Sequence, residues 1–159
     1  MKVPFYWQDT EYTCGPASLQ MVFAFFKKRI SEEALAKKLK TSKEFGTYRR
    51  NLTQYARREG FYCYVNNNGC LSELFHYVSI GFPAIVNIMA EGGGHFCVVV
   101  GATKNEIIVN DPYYGAHKKM NIDEFEKNWK GERNNSKKWM LVLSQENLRL
   151  GKQYHPILK

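Results

Sequence analysis

The chain has 159 residues, 44% of them hydrophobic, and a net charge of +8. That size is close to one ordinary domain and buries a sizeable core without disulfide staples. Ten Tyr and ten Phe exclude a disordered chain, and no apolar run approaches the length of a membrane span.

Predicted elements fall into two halves. Polar residues arrive directly after Trp7, so the start carries no signal-peptide pattern. Pro16 to Ile30 is apolar at Ala17, Met21, Val22, Phe25 and Phe26, a helical stripe closed by Lys27-Lys28-Arg29. Ser31 caps a second helix through Leu39, with Glu32 and Glu33 in its first turn. A third helix begins near Thr47 and stops at Gly60. Phe61 to Val65 reads as a short strand, Asn66 to Gly69 as a turn, and Ser72 as the cap of a fourth helix ending at Gly81. Strands follow at Ala84–Met89, His95–Gly101 and Glu106–Asn110, then a short helix at Ile122–Trp129 and a last strand at Lys138–Leu143. Helices first and a mostly antiparallel sheet second make an α+β arrangement. Residues 1–144 read as one domain and 145–159 as a polar tail.

Cys14 is the first candidate for chemistry. It sits at the expected start of the first helix, where the positive end of the macrodipole favours thiolate, the form that acts as a nucleophile. A base and its orienter come from the second half. His95 opens an apolar strand after Glu91-Gly92-Gly93-Gly94, and Asp111 closes the next strand before Pro112. A hairpin of a few residues around Thr103-Lys104-Asn105 joins the two. Register decides whether they meet. A three-residue loop places Asp111 opposite Cys97, on the face that carries His95. A two-residue loop places it opposite Val98, with the two side chains on opposite faces. The constellation therefore requires an odd loop or a bulge.

Given that condition, Cys14 attacks an acyl carbon, His95 takes and returns the proton, and Asp111 fixes the imidazole. The Gln8 amide and the Cys14 N–H hold the oxyanion. Gly93 and Gly94 let a substrate backbone approach closely, while Tyr113, Tyr114 and Trp7 are candidate cleft aromatics.

Gln8, then Cys14-Gly15-Pro16-Ala17-Ser18, then His95-Phe96 opening an apolar strand, then Asp111-Pro112-x-x-Gly115, resembles the bacteriocin-processing, double-glycine cysteine peptidases of the papain-like superfamily. The resemblance runs from about Val3 to Trp129. It implies a papain-like fold, with the nucleophile on a long helix packed against an antiparallel sheet. It also implies thiol-dependent peptide-bond hydrolysis without a cofactor. In that family the domain is often fused to an ABC transporter and removes leader peptides after a Gly-Gly pair. This chain resembles the stand-alone members.

Two other classes share parts of this pattern. Deamidase or acyltransferase chemistry on the same scaffold passes through the same thioester, and a peptide-binding module with an idle site would have lost Cys14, His95 or Gln8. The basic residues are scattered doublets and triplets without a recognition motif, so a peptide or protein partner is expected and nucleic acid is not. Cys63, Cys70 and Cys97 are expected as free thiols of a cytoplasmic chain, although a trimmed secreted chain would read the same. His117 and His155 lack ligand spacing, so no metal is expected. Nothing in the sequence specifies an oligomeric state.

Overall fold

The helix that begins at Cys14 ends sooner than its apolar stripe. In the computed structural model, which describes residues 1–131, 137–149 and 153–158, α1 spans Cys14–Phe25. Lys27 adopts a left-handed φ of 66°, with Lys27 N–H on Ala24 O at 3.0 Å and Lys28 N–H on Phe23 O at 2.9 Å. This paired closure satisfies the last carbonyls and turns the chain, so the stripe beyond Phe25 is not helical. Ser31 caps α2 (Glu32–Lys38) through its side chain on Ala34 N–H, and α3 spans Arg49–Arg58.

Seven strands form one sheet: β1 (Tyr62–Asn66), β2 (Ala84–Ala90), β3 (Gly93–Ala102), β4 (Glu106–Asp111), β5 (Gly115–Asn121), β6 (Met140–Ser144) and β7 (Gln153–Tyr154). Their order is β5-β4-β3-β2-β6-β1-β7, every pairing antiparallel. Helices cover both faces. α1, α2 and α3 bury Leu19, Phe23, Leu35 and Leu52 against Ile85, Phe96, Val98 and Leu141. α4 (Leu71–Ser79) and α5 (Ile122–Asn128) bury Leu74, Tyr77 and Phe125 against Val86, Cys97, Val99 and Val142. Successive residues of β3 thus alternate between two cores, which is why its sequence is apolar without interruption.

Four departures from the sequence reading have physical causes. Cys70, not Ser72, holds the N-cap of α4: Gly69 N–H is tied to Lys138 O at 2.8 Å, and the helix starts as soon as the chain leaves the sheet. β3 starts at Gly93, because Ala90 pairs with Gly93 and the hairpin turn is only Glu91-Gly92. β5 has no sequence signature: most of its residues are exposed, and Lys118 and Lys119 mark it as a protected sheet edge rather than a core strand. β7 lies in the polar tail and pairs with β1 at Cys63 and Tyr64, while Ile157 N–H reaches Arg57 O at 2.9 Å. Residues 150–152 and 159 of that tail lie outside the described residues.

The β3–β4 register meets the condition set by the sequence. The loop is the short one, Lys104-Asn105, closed by Thr103 N–H on Glu106 O at 2.8 Å. Ala102 pairs with Ile107 and Gly101 with Ile108, a register that, unbroken, leaves Asp111 opposite Val98. A β-bulge intervenes at Val100: Val99 pairs with Val109 and Val98 with Asn110. One residue further, Asp111 falls level with Cys97, on the face of His95.

Candidate active site

The local sequence leaves the start of α1 open. Thr13 occupies the N-cap but makes no side-chain cap. Its hydroxyl instead accepts Thr10 N–H at 3.1 Å and meets the Thr10 hydroxyl at 2.9 Å. Pro16, at the third helical position, has no N–H to offer an N-cap side chain, and Thr13 does not take the Gly15 N–H either. The N–H of Cys14, the first helical residue, has no intrahelical acceptor. Gly15 is required here: a Cβ would lie 2.7 Å from Thr47 Oγ1 and 2.8 Å from Thr47 Cβ.

Asp111 is 5% exposed and its Oδ1 takes three donors. His95 Nε2 lies at 2.7 Å, Tyr113 N–H at 2.9 Å and Tyr114 N–H at 3.1 Å. The last two belong to the Asp-Pro turn joining β4 to β5, in which the carboxylate folds back on its own backbone. With Nε2 engaged, the other ring nitrogen of His95 is left for the Cys14 thiol, with which the imidazole interacts. Cys14 Sγ also accepts Phe96 N–H at 3.5 Å, which seats the thiol over β3.

The electrostatics are those of a coupled pair. Burial alone would depress His95, but its hydrogen bonds to Asp111 and Cys14 and their negative charge raise it to about 9. Burial would raise Asp111, yet the His95 hydrogen bond and charge, with the two tyrosine N–H groups, hold it below its usual value. Burial pushes Cys63 up to about 12 and Cys97 well above the ordinary thiol range. All four cysteines are free.

Gln8 N–H binds Pro112 O at 2.9 Å and its Nε2 donates to Thr10 O at 2.7 Å. An amide nitrogen carries two hydrogens, so one N–H of Nε2 remains for a second acceptor. Gln8, Cys14, Gly93, Gly94, His95 and Tyr113 all line one open cleft of about 560 Å³, joined by Glu11, Glu91 and Tyr114. Trp7 stands outside it, packed edge-on against Phe5 with centroids 4.9 Å apart.

A polar link beneath the site escaped the sequence reading. Arg49 donates to Asn87 Oδ1 at 3.0 and 2.7 Å, and Asn87 Nδ2 donates to His95 O at 3.2 Å. The signal was present: Asn87 is the lone polar residue in an apolar strand, and a buried amide needs partners. Among the described residues, no group of three or more His, Cys, Asp or Glu is placed to hold a metal ion. No helix among them is long and apolar enough to cross a membrane.

An α+β fold with a thiol opening a helix, seated over an antiparallel sheet beside a carboxylate-bound histidine, defines a papain-like cysteine peptidase. The model of the peptidase C39 family matches residues 2–133, and the chain belongs to that family. Solved structures agree in fold. The peptidase domain of Streptococcus ComA, a bifunctional ABC transporter involved in quorum sensing, is 24% identical with a TM-score of 0.76, over 91% of this chain and 100% of that one. A double glycine motif protease from an AMS/PCAT transporter, solved with the leader peptide, is 26% identical with a TM-score of 0.72, over 89% and 91%. A C39-like peptidase from Bacillus anthracis is 15% identical with a TM-score of 0.77, over 91% and 96%. A search of curated proteins returns no match.

Proposed function

We propose that this peptidase hydrolyses a peptide bond through Cys14, His95 and Asp111, with Gln8 and the Cys14 N–H as oxyanion donors, and that its substrate is a leader-type peptide cut after Gly-Gly. The observation that carries the reading is the Asp111–His95 contact of 2.7 Å beside Cys14. His95 holds the thiol proton as imidazolium, and Asp111 stabilises that cation and fixes the ring. Cys14 Sγ attacks the carbonyl carbon, and the oxygen gains charge within reach of the open helix start and the free N–H of Gln8. The C–N bond breaks as His95 protonates the departing amine. Water, deprotonated by His95, then attacks the thioester and releases the acid and the thiol.

Two points support the substrate class. Glycines carry no side chain to clash with a cleft whose walls include the Gly93-Gly94 backbone, Tyr113 and Tyr114. A double glycine protease of the same fold, 26% identical, was solved with a leader peptide. The test is incubation with a panel of synthetic peptides containing one Gly-Gly pair each, with products identified by mass. A single cut after the pair is expected, lost in Cys14→Ala. Cleavage at unrelated bonds, or deamidation or acyl transfer without cleavage, would refute the substrate assignment.

A further inference from the structure

Gln8 is held by Thr10 and Pro112, and a carboxylate outside the cleft holds the peptide unit that follows it. Glu32 opens α2 and is only 5% exposed. Read from sequence, it is an acidic first-turn residue favoured by the macrodipole. In the fold its carboxylate also meets the segment ahead of α1, where it interacts with Thr13 and Asp9. Both of its oxygens face Asp9 N–H, at 2.9 and 3.2 Å. The Asp9 N–H belongs to the same peptide unit as the Gln8 carbonyl. Anchoring that unit therefore fixes ψ of Gln8, and with it the direction in which the Gln8 side chain leaves the backbone. The other anchors are Pro112 O on Gln8 N–H and Thr10 O on Gln8 Nε2. Thr10 lies in the same loop and is held in turn by Thr13 at the start of α1, Pro112 lies in the turn beside Asp111, and Glu32 adds a tie from α2 to the peptide unit that follows Gln8.

We infer that Glu32 is a positioning residue for the oxyanion donor Gln8, fixing the peptide unit that aims it at the reacting carbonyl. This rests on the oxyanion role proposed for Gln8. Removing the Glu32 carboxylate leaves the Asp9 N–H without its acceptor and lets that peptide unit rotate. A displacement of about 1 Å in a catalytic group lowers turnover by up to about a hundredfold. Burial first, and then the neighbouring Asp9 carboxyl, raises Glu32 to about 7. A neutral acceptor is therefore close to its native state, and Glu32→Gln should rescue what Glu32→Ala loses.

The experiment uses the full chain and a fluorogenic peptide ending in Gly-Gly-aminomethylcoumarin, with kcat and KM measured for wild type, E32A, E32Q, Q8A and E32A/Q8A. E32A is expected to lower kcat about tenfold with KM changed less than about twofold. E32Q should restore most of kcat, and E32A should add nothing in the Q8A background. Alkylation of Cys14 by iodoacetamide, which forms no oxyanion, should proceed at the wild-type rate in E32A. The inference is overturned if E32A keeps wild-type kcat, if its loss multiplies that of Q8A, or if alkylation falls in step with hydrolysis. If Q8A itself turns over normally, the Gln8 role falls and the Glu32 role with it; if Q8A is impaired and E32A is not, Glu32 alone is refuted. Should E32A not fold, Glu32→Asp, one methylene short of the Asp9 N–H, carries the same comparison.

Discussion

Replacing Asp111 by Asn separates charge from orientation at the heart of the site. The amide oxygen keeps the acceptor for His95 Nε2 and for the Tyr113 and Tyr114 N–H groups, so the ring stays in place. What is lost is the negative charge. Raising an imidazole from 6.5 to about 9 amounts to about 3 kcal/mol in favour of imidazolium. Burial opposes that shift, so Asp111 and Cys14 together supply at least this much. D111N forfeits the Asp111 share of it, on the order of 1 kcal/mol. The corresponding loss is about tenfold in kcat/KM at neutral pH, and the deprotonation of His95 moves down by about one pH unit. D111A loses orientation as well and should fall about a hundredfold. The assay is the pH profile of kcat/KM with a Gly-Gly-aminomethylcoumarin peptide. Wild type should lose activity on the alkaline side near 9, and D111N about one pH unit lower. An alkaline limb that stays in place in D111N, with activity unchanged, would refute the coupling of Asp111 to His95.

Three further outcomes follow from the packing and titration of the same region. Gly15→Ala forces a Cβ to within 2.7 Å of Thr47 Oγ1, so urea denaturation should show a loss of about 1–3 kcal/mol, partly restored by Thr47→Gly. Native-state alkylation followed by peptide mapping should modify Cys14 and exposed Cys70 and spare Cys63 and Cys97; labelling of Cys97 before unfolding would contradict its burial. Because His95 is raised in the folded state, its contribution to stability is complete below pH 6.5 and lost as pH rises through about 9. Asp111 is lowered, so its contribution is present above 3.8 and lost as pH falls through its folded value. Melting temperatures should therefore decline on both sides of that window, and His95→Gln should flatten the alkaline side.

The parts of the site legible in sequence are those carried by local patterns. Cys14 could be placed because proline and an apolar stripe mark a helix start, and His95 and Asp111 because a short loop makes their strands neighbours. Their meeting could only be posed as a condition. A bulge at Val100 leaves no mark in an unbroken apolar run, since a bulged valine and a paired one are both buried. β5 was invisible for the opposite reason: an edge strand with mostly exposed residues has no apolar alternation to read. Glu32 and Asn87 needed tertiary structure, because their partners lie 23 residues away at Asp9 and 38 residues away at Arg49. A first-turn glutamate already has a sufficient local explanation, which hides the second one.

The central claim, that Cys14 forms a thioester with the carbonyl carbon before a Gly-Gly cut, is tested most directly by acid-quenching the enzyme during turnover of a Gly-Gly peptide and mapping the adduct by mass. The expected result is the N-terminal peptide fragment attached to Cys14, with no adduct and no cleavage in Cys14→Ala. Cleavage that persists in Cys14→Ala, or a fragment attached to Cys70 instead, would contradict it.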